Sequence, residues 1–381
     1  MKRRVAITLF VVAIIVCIGL GVGLLAGCGG TTTAAGGPNE IGLPMYGANP
    51  AHTGVYASGG PSQLGGLAWK FGTDGQVQTS PAISNGVVYF GSADTYLYAL
   101  DAKSGQEKWK FQTNGLVTTS SPAVSNGVVY FGSFDHYLYA LDATSGKEKW
   151  KFQATDQVES PPAVSDGVVY VGSALGLLYA LDATSGKEKW KFQAMGEVTC
   201  SPAVASGVVY FTSSDGYLHA LDAKSGKEKW KLQTGVGENT SPAVSNGVVY
   251  SGSDDHYLWA VDAKSGQEKW KFQTGDAIES SPAVSDGVVY VGSDDGYLYA
   301  VDTQSGQAKW KFKAGDQVSC PAISGGVVYF GSNDQYLYAV DTQTGQEKWK
   351  FQTGAQVYSY PAISDGVVYF GSMDDYLYAV K

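Results

Sequence analysis

The sequence predicts an all-β fold, an eight-bladed β-propeller of four-stranded antiparallel blades closed into a ring, on three observations. Eight tryptophans, Trp69, Trp109, Trp150, Trp190, Trp230, Trp270, Trp310 and Trp349, follow one another at intervals of 39–41 residues. A period near 40 belongs to propellers and solenoids. Each interval holds four short segments rich in Val, Tyr, Phe and Trp, parted by Gly, Asp, Asn or Ser, which is strand chemistry with turn punctuation and nothing helical between. The third observation is the motif Ala-x-Asp-x-x-(Ser/Thr)-Gly-x-x-x-Trp. It is written seven times in full, from Ala99–Trp109 to Ala339–Trp349, and once in two halves, Ala379 near one end and Trp69 near the other.

Within a unit the strands are named A to D from the channel outward. In the sixth unit they are read as Ile278–Ser285, Val288–Ser293, Tyr297–Asp302 and Lys309–Phe312. Strand A, of Ser-Pro-Ala-Val type, tolerates its proline because an innermost strand leaves one edge unpaired toward the channel. Strand B reads Gly-Val-Val-Tyr, C Tyr-Leu-Tyr-Ala and D Lys-Trp-Lys-Phe. The Ser/Thr-Gly pair after C supplies the tight turn into D, since glycine takes φ > 0 without steric penalty. The eighth unit reaches Lys381 just after its strand C, while Trp69-Lys70-Phe71 opens the repeats as an orphan D strand. The two are expected to pair, with the N-terminal strand outermost in the last blade. The outer edges carry Lys, for example Lys108 and Lys110, which guards them against pairing with other chains. Two departures from the period fall in strand A: an extra residue between Val117 and Pro122, and one fewer between Val318 and Pro321.

Ahead of the propeller, placed at 67–381, two further regions are expected. Residues 1–27, with Lys2-Arg3-Arg4 before the apolar run Val5–Ala26, read as an export signal. Leu25-Ala26-Gly27-Cys28 resembles a lipobox in which Cys28 is acylated; an uncleaved membrane anchor is the alternative, because the apolar run is long. Residues 28–66 form a Gly/Thr/Ala-rich flexible tether and a lead-in. The repeats are thereby placed outside the cytoplasm, lipid-anchored to a membrane on its periplasmic or extracellular face. Formal charge falls from −9 to −12 once Lys2, Arg3 and Arg4 leave, which argues against nucleic acid as a partner. No arginine follows Arg4, so bidentate clamping of phosphate or carboxylate is not open to the mature chain. Cys200 and Cys320 fall in units four and seven, on opposite parts of the ring, whereas a disulfide needs Cα atoms within about 7 Å. Both are expected as unpaired, partly buried thiols.

The repeated motif resembles the tryptophan-docking motif of quinoprotein (PQQ-type) β-propellers, over Trp69–Val380. That family includes quinoprotein dehydrogenases and BamB-like lipoproteins. The resemblance implies that each Trp inserts between neighbouring blades, and that Met45–Gly54 is the lead-in found before the first blade in many such proteins. It also implies where chemistry lies in the enzymes, which hold PQQ and a calcium ion in the funnel at one face of the ring. An adjacent Cys-Cys pair, an arginine for the quinone carboxylates and long roofing insertions, which the enzymes supply there, are absent from this sequence. The motif Asp, such as Asp222, is read as structural.

Channel-facing positions of strand A are Gln78, Thr119, Glu159, Thr199, Asn239, Glu279 and Tyr358. Of these, Glu159, Asn239 and Glu279 are hard oxygen ligands able to converge on calcium, or else solvated funnel walls. The B–C turns carry Asp94, Asp135, Asp215, Asp255, Asp295, Asp334 and Asp374, where Asp bonds nearby backbone N–H groups of its own turn. With Asp74, Asp156, Asp276 and Asp316 of the D–A loops they make one face acidic, which favours basic partners. His136 and His256 occupy equivalent turns, His219 replaces a strand-C Tyr, His52 lies in the lead-in, and no spacing is that of a zinc site. Leu116, Phe134, Leu175, Leu177 and Met195 stand in loops of units two to four, where other copies mostly place Gly, Asp, Gln or Tyr. An apolar patch with an acidic rim is a docking surface; local packing is the alternative. No catalytic residue, metal centre or cofactor is assigned. The leading reading is a non-catalytic, monomeric, membrane-tethered propeller that scaffolds protein interactions in the cell envelope. BamB-like help in outer-membrane protein assembly is one version. The alternatives are a PQQ- and calcium-dependent dehydrogenase and a lipoprotein that senses or binds a small ligand.

Overall fold

The computed structural model describes residues 45–235 and 240–381; the expected export signal, Cys28, the expected tether up to residue 44 and Asn239 lie outside the described residues. Thirty-two strands, β1 to β32 in chain order from Leu67–Gly72 to Tyr376–Val380, form eight four-stranded sheets, and no helix occurs among the described residues. Blade one is β2 (Ala82–Ser84), β3 (Val87–Gly91), β4 (Tyr96–Asp101) and β5 (Glu107–Gln112), in that spatial order, and each later blade repeats it. Innermost strands neighbour one another around a full circle, β30 (Ala362–Ser364) returning to β2. Closure follows the split motif. β1 pairs antiparallel with β32, Trp69 opposite Ala379 and Phe71 opposite Leu377, the register that blade one shows with Trp109 opposite Ala99 and Phe111 opposite Leu97.

What fixes the blades to each other is visible at Trp109. Its Nε1–H donates to the carbonyl of Ala143 in the next blade at 3.1 Å. The hydroxyl of Tyr89, two strands further in, donates to the same oxygen at 3.0 Å, so one C–D turn carbonyl receives two aromatic donors. The indole lies against Gly146, where φ is +68° and a Cβ would come within 2.7 Å of the ring. Glycine is required there twice, for its backbone angle and for the absent side chain. The motif Asp holds the turn that presents these groups: Asp142 Oδ1 accepts from Ser145 N and Oγ at 2.9 and 2.8 Å. Blade eight has no C–D turn of its own, and at that seam the Pro61 carbonyl takes over, receiving Trp349 Nε1–H at 2.9 Å and the Tyr329 hydroxyl at 3.0 Å.

Strand A is shorter than the sequence suggests: in blade six it is β22, Ala283–Ser285, instead of Ile278–Ser285. The proline at 282 has no N–H for a ladder, and the residues before it are tied sideways, blade to blade. Ser80 N–H donates to Ser121 Oγ at 2.8 Å, Ser201 N–H to Ser241 Oγ and Ser241 N–H to Ser281 Oγ at 2.9 Å, and Tyr360 N–H to Ser80 Oγ at 2.9 Å. Cys320 Sγ takes this role for Ser281 N–H at 3.1 Å. The lead-in runs along the same strands. Pro50 O, Ala51 O, Thr53 O and Gly54 O accept the N–H groups of Val204, Val244, Val284 and Ile323 at 2.6–2.8 Å. It therefore crosses blades four to seven inside the ring before Pro61 reaches the seam.

This geometry gives a stability prediction. Trp230→Ala is expected to destabilise the fold by about 3 kcal/mol. Gly226→Ala, at φ +68° and with its new Cβ within 2.7 Å of Trp190, should cost more than about 1 kcal/mol. Urea midpoints measure both, and a Gly226→Ala chain as stable as the parent would contradict this packing.

Candidate functional site

At the centre of the ring lies a funnel, a cavity of about 140 Å³ whose walls include Gln78, Thr119, Glu159, Thr199, Glu279 and Tyr358. The two departures from the repeat period also face it, through Thr118 and Thr119 in blade two and Val318 and Ser319 in blade seven. The lead-in closes its inner end. Tyr46 is half-buried, its hydroxyl 3.0 Å from Ser281 Oγ and 3.7 Å from Cys320 Sγ, its ring edge-on to Tyr360 at 4.9 Å. Beside it, His52 is 1 % exposed. His52 Nδ1 lies 3.2 Å from Pro242 O and Nε2 lies 3.2 Å from Ser201 Oγ. A carbonyl can only accept, so Nδ1 carries the proton and Nε2 accepts from the serine.

The funnel walls are acidic. Burial, then Glu197 and Asp156, hold the Glu159 carboxyl above its usual range; burial and Asp254 do the same to Glu279. Asp294, from the B–C turn of blade six, is pushed up to about 6 by burial first and then by Glu279. Tyr358, although 43 % exposed, is pushed up to about 12 by burial and the same carboxylates.

Pyrroloquinoline quinone is a tricarboxylate, and a site for it supplies cations or many N–H donors. Among the described residues that line the funnel none is Lys, Arg or His, while Glu159, Glu279 and Asp294 are carboxylates. The cavity is also below the roughly 300–1,000 Å³ of small-molecule pockets. These residues do not fit that group. As for calcium, no three His, Cys, Asp or Glu side chains among the described residues are placed to hold a metal ion, and Glu159 and Glu279 come from blades three and six.

The remaining sequence candidates have definite places. Asp94 Oδ1 accepts Tyr96 N–H at 3.1 Å, and Oδ2 accepts the Tyr98 hydroxyl at 2.6 Å and Asp74 N–H at 3.2 Å. One turn carboxylate thus ties its own turn, strand C and the incoming D–A loop. Where blade three has Leu175 in place of that Asp, the Tyr179 hydroxyl turns to Thr155 Oγ1 at 3.0 Å. His219 sits between Glu228, 2.9 Å from Nδ1, and Ser213, 3.1 Å from Nε2, the sequence of groups in a Ser-His-acid triad. Yet Ser213 is buried, it donates to Asp215, and Phe211 stacks flat on the imidazole at 4.8 Å. No substrate reaches that hydroxyl; the group is a histidine version of the tyrosine–aspartate clamp. His136 and His256 each face a carboxylate in the following loop, Asp156 and Asp276, at 3.9 Å. Cys200 is buried, its thiol pushed up to about 11 by burial, and neither Cys200 nor Cys320 is in a disulfide.

Of the apolar loop residues, Leu116, Leu175 and Met195 are exposed, Met195 to 92 %. Phe134 is half-buried and donates its N–H to the Leu116 carbonyl at 3.0 Å. Leu177 packs against the core shared by blades two and three and does not belong to the exposed set. Sequence reasoning missed the roles of Tyr46 and His52. It also passed over the inner hydroxyl belt, whose signal was in view as the Ser that precedes the strand-A proline in most copies.

His52 yields a pH prediction. Burial lowers it from its usual 6.5 to about 4, so the unfolded chain takes up a proton at higher pH than the folded one. Its contribution is complete above about 6.5 and is lost as pH falls toward 4, in all about 3 kcal/mol. Denaturation at several pH values should show the stability gap between the parent and His52→Gln narrowing across that window. A gap that does not change with pH would contradict the buried, neutral imidazole.

Solved structures share the architecture, among them the following three. BamB from Moraxella catarrhalis aligns at 18% identity over 83% of this chain and 99% of its own, with a TM-score of 0.72. The computationally designed Ika8 protein aligns at 20% identity over 81% and 96%, TM-score 0.73. Quinohemoprotein alcohol dehydrogenase from Comamonas testosteroni aligns at 16% identity over 89% and 80%, TM-score 0.75. At these identities the likeness is one of fold. No curated protein matches the sequence. The repeats themselves match a family model in four overlapping stretches, residues 62–151, 134–244, 232–324 and 314–381. On those matches, which take in every blade, the chain belongs to the PQQ-like repeat family described as outer membrane protein assembly factor BamB.

Proposed function

We propose that this chain is a non-catalytic, lipid-anchored interaction scaffold of the cell envelope, serving protein assembly at a membrane as its family description suggests. Its partner is a protein that docks on the loops around Leu116, Phe134, Leu175 and Met195. The observation that carries the reading is the state of the funnel. Its inner end is filled by the chain's own Tyr46, and its described walls carry the carboxylates Glu159, Glu279 and Asp294 with no cation among them, which suits neither an anionic quinone nor its substrate chemistry. Exposed apolar side chains, by contrast, appear in the loops at places where the other repeats mostly carry polar residues or glycine, and a partner gains from covering them. The acidic turns nearby select a basic rim on that partner. Cys28 supplies the anchor in this reading.

Photo-crosslinking side chains placed at Leu175 and Met195 of the membrane-bound full chain test it. Discrete adducts with an envelope protein are expected from both positions and not from Lys229 on the rim. Equal labelling at all three, or saturable binding of quinone with calcium that raises the melting temperature, would move the assignment elsewhere.

A further inference from the structure

Each blade ends in an outer strand with one unpaired edge, and seven of these edges are written alike. β5 reads Glu107-Lys-Trp-Lys-Phe-Gln112, and the other six keep Lys at both the second and fourth positions. Paired lysines on an edge discourage a further strand from adding to it. β1 differs, reading Leu67-Ala-Trp-Lys-Phe-Gly72, with Lys70 as its one charge. Leu67 is 45 % exposed and Leu64, just before it, 40 %. The motif Asp, which pairs with the first of the two lysines in blade one (Asp101 with Lys108, 3.3 Å), is replaced in blade eight by Lys381. The outer corner of this blade therefore carries lysine where the others carry Asp, and leucine and alanine where most carry Glu and Lys.

We propose that the open edge of β1 receives an extended strand from a partner polypeptide, one that alternates apolar and polar residues and ends in carboxylates. The unpaired N–H and C=O groups of β1 continue the ladder outward, as in strand addition generally. Leu64 and Leu67 meet the apolar side chains, and Lys70 and Lys381 meet the acidic flank. A second copy of this chain suits the edge poorly, since antiparallel pairing would bring Lys70 and the lysine-rich rims of adjoining blades against their own equivalents; a slender strand avoids this. Only the source of the strand, a chain in course of assembly, rests on the scaffold reading.

The test is titration of the full chain against a fluorescent synthetic peptide that alternates Val and Thr and carries Asp at both ends, read by anisotropy. Saturable binding of one peptide per chain is expected, weakened roughly tenfold or more in Leu67→Glu/Ala68→Lys, which restores the guarded pattern. Glu107→Leu/Lys108→Ala in blade one should add a second site, a gain that misfolding cannot imitate. Absence of binding to the parent, binding undiminished by the first variant, or loss through Leu175→Asp instead would overturn the proposal. The first two results leave crosslinking from the loops as it stands, and the third would favour the loops over the edge, so the two readings fail separately.

Discussion

An indole held between a left-handed glycine and a carbonyl of the next blade is the contact on which this ring depends. Trp109 against Gly146 and Ala143 shows it in full. The glycine admits the ring face, the carbonyl takes the indole N–H, and the Tyr89 hydroxyl shares that acceptor from the interior. Each blade thus fixes both its distance from the next and its rotation about it. Because the contact joins unlike parts of successive blades, it propagates around a ring and finishes only where the last meets the first. There Trp69, on the strand that β1 supplies to blade eight, donates to the Ala102 carbonyl of blade one; one interface earlier Trp349 finds the Pro61 carbonyl.

The same closure decides what the centre can do. A chain whose N-terminal segment must reach the outer strand of blade eight passes through the interior on its way, pairing with inner strands of four blades and leaving Tyr46 half-buried and His52 buried there. Polar atoms on the inner strands, which have no neighbour in a ladder, are satisfied by the lead-in and by the belt running from Ser80 through Ser121 and from Ser201 to Cys320. The funnel beyond is left small and acidic. Variation is concentrated at its rim and in the B–C and D–A loops, where a substitution such as Leu175 for Asp disturbs only one clamp, and Tyr179 finds Thr155 instead.

The architecture was legible because the repeat is nearly invariant: the spacing of Trp69 to Trp349 counts the blades, and the motif cut between Ala379 and Trp69 announces the closing strand. The turn role of Asp94 and its equivalents could likewise be read from residue type and position. Strand A could not be bounded, since Ile278–Pro282 has the composition of a strand but lies beyond the reach of its ladder, bound sideways by hydroxyls. The lead-in stayed opaque for a related reason. Met45–Pro61 occurs once, without periodicity, and its partners are backbone groups hundreds of residues away, which no local pattern encodes. Leu177 looked like its exposed neighbours in sequence, and only packing against blades two and three separates it from them.

Hydrogen exchange of the full chain, followed strand by strand, addresses ring closure most directly. If β1 completes blade eight through the contacts of Trp69 and Phe71, its ladder amides should be protected as strongly as those of β5 and exchange together with the ring as a whole. Early exchange of Trp69–Phe71 while the other outer strands stay protected would mean that seven blades hold the ring and the eighth merely covers it, which contradicts closure through β1.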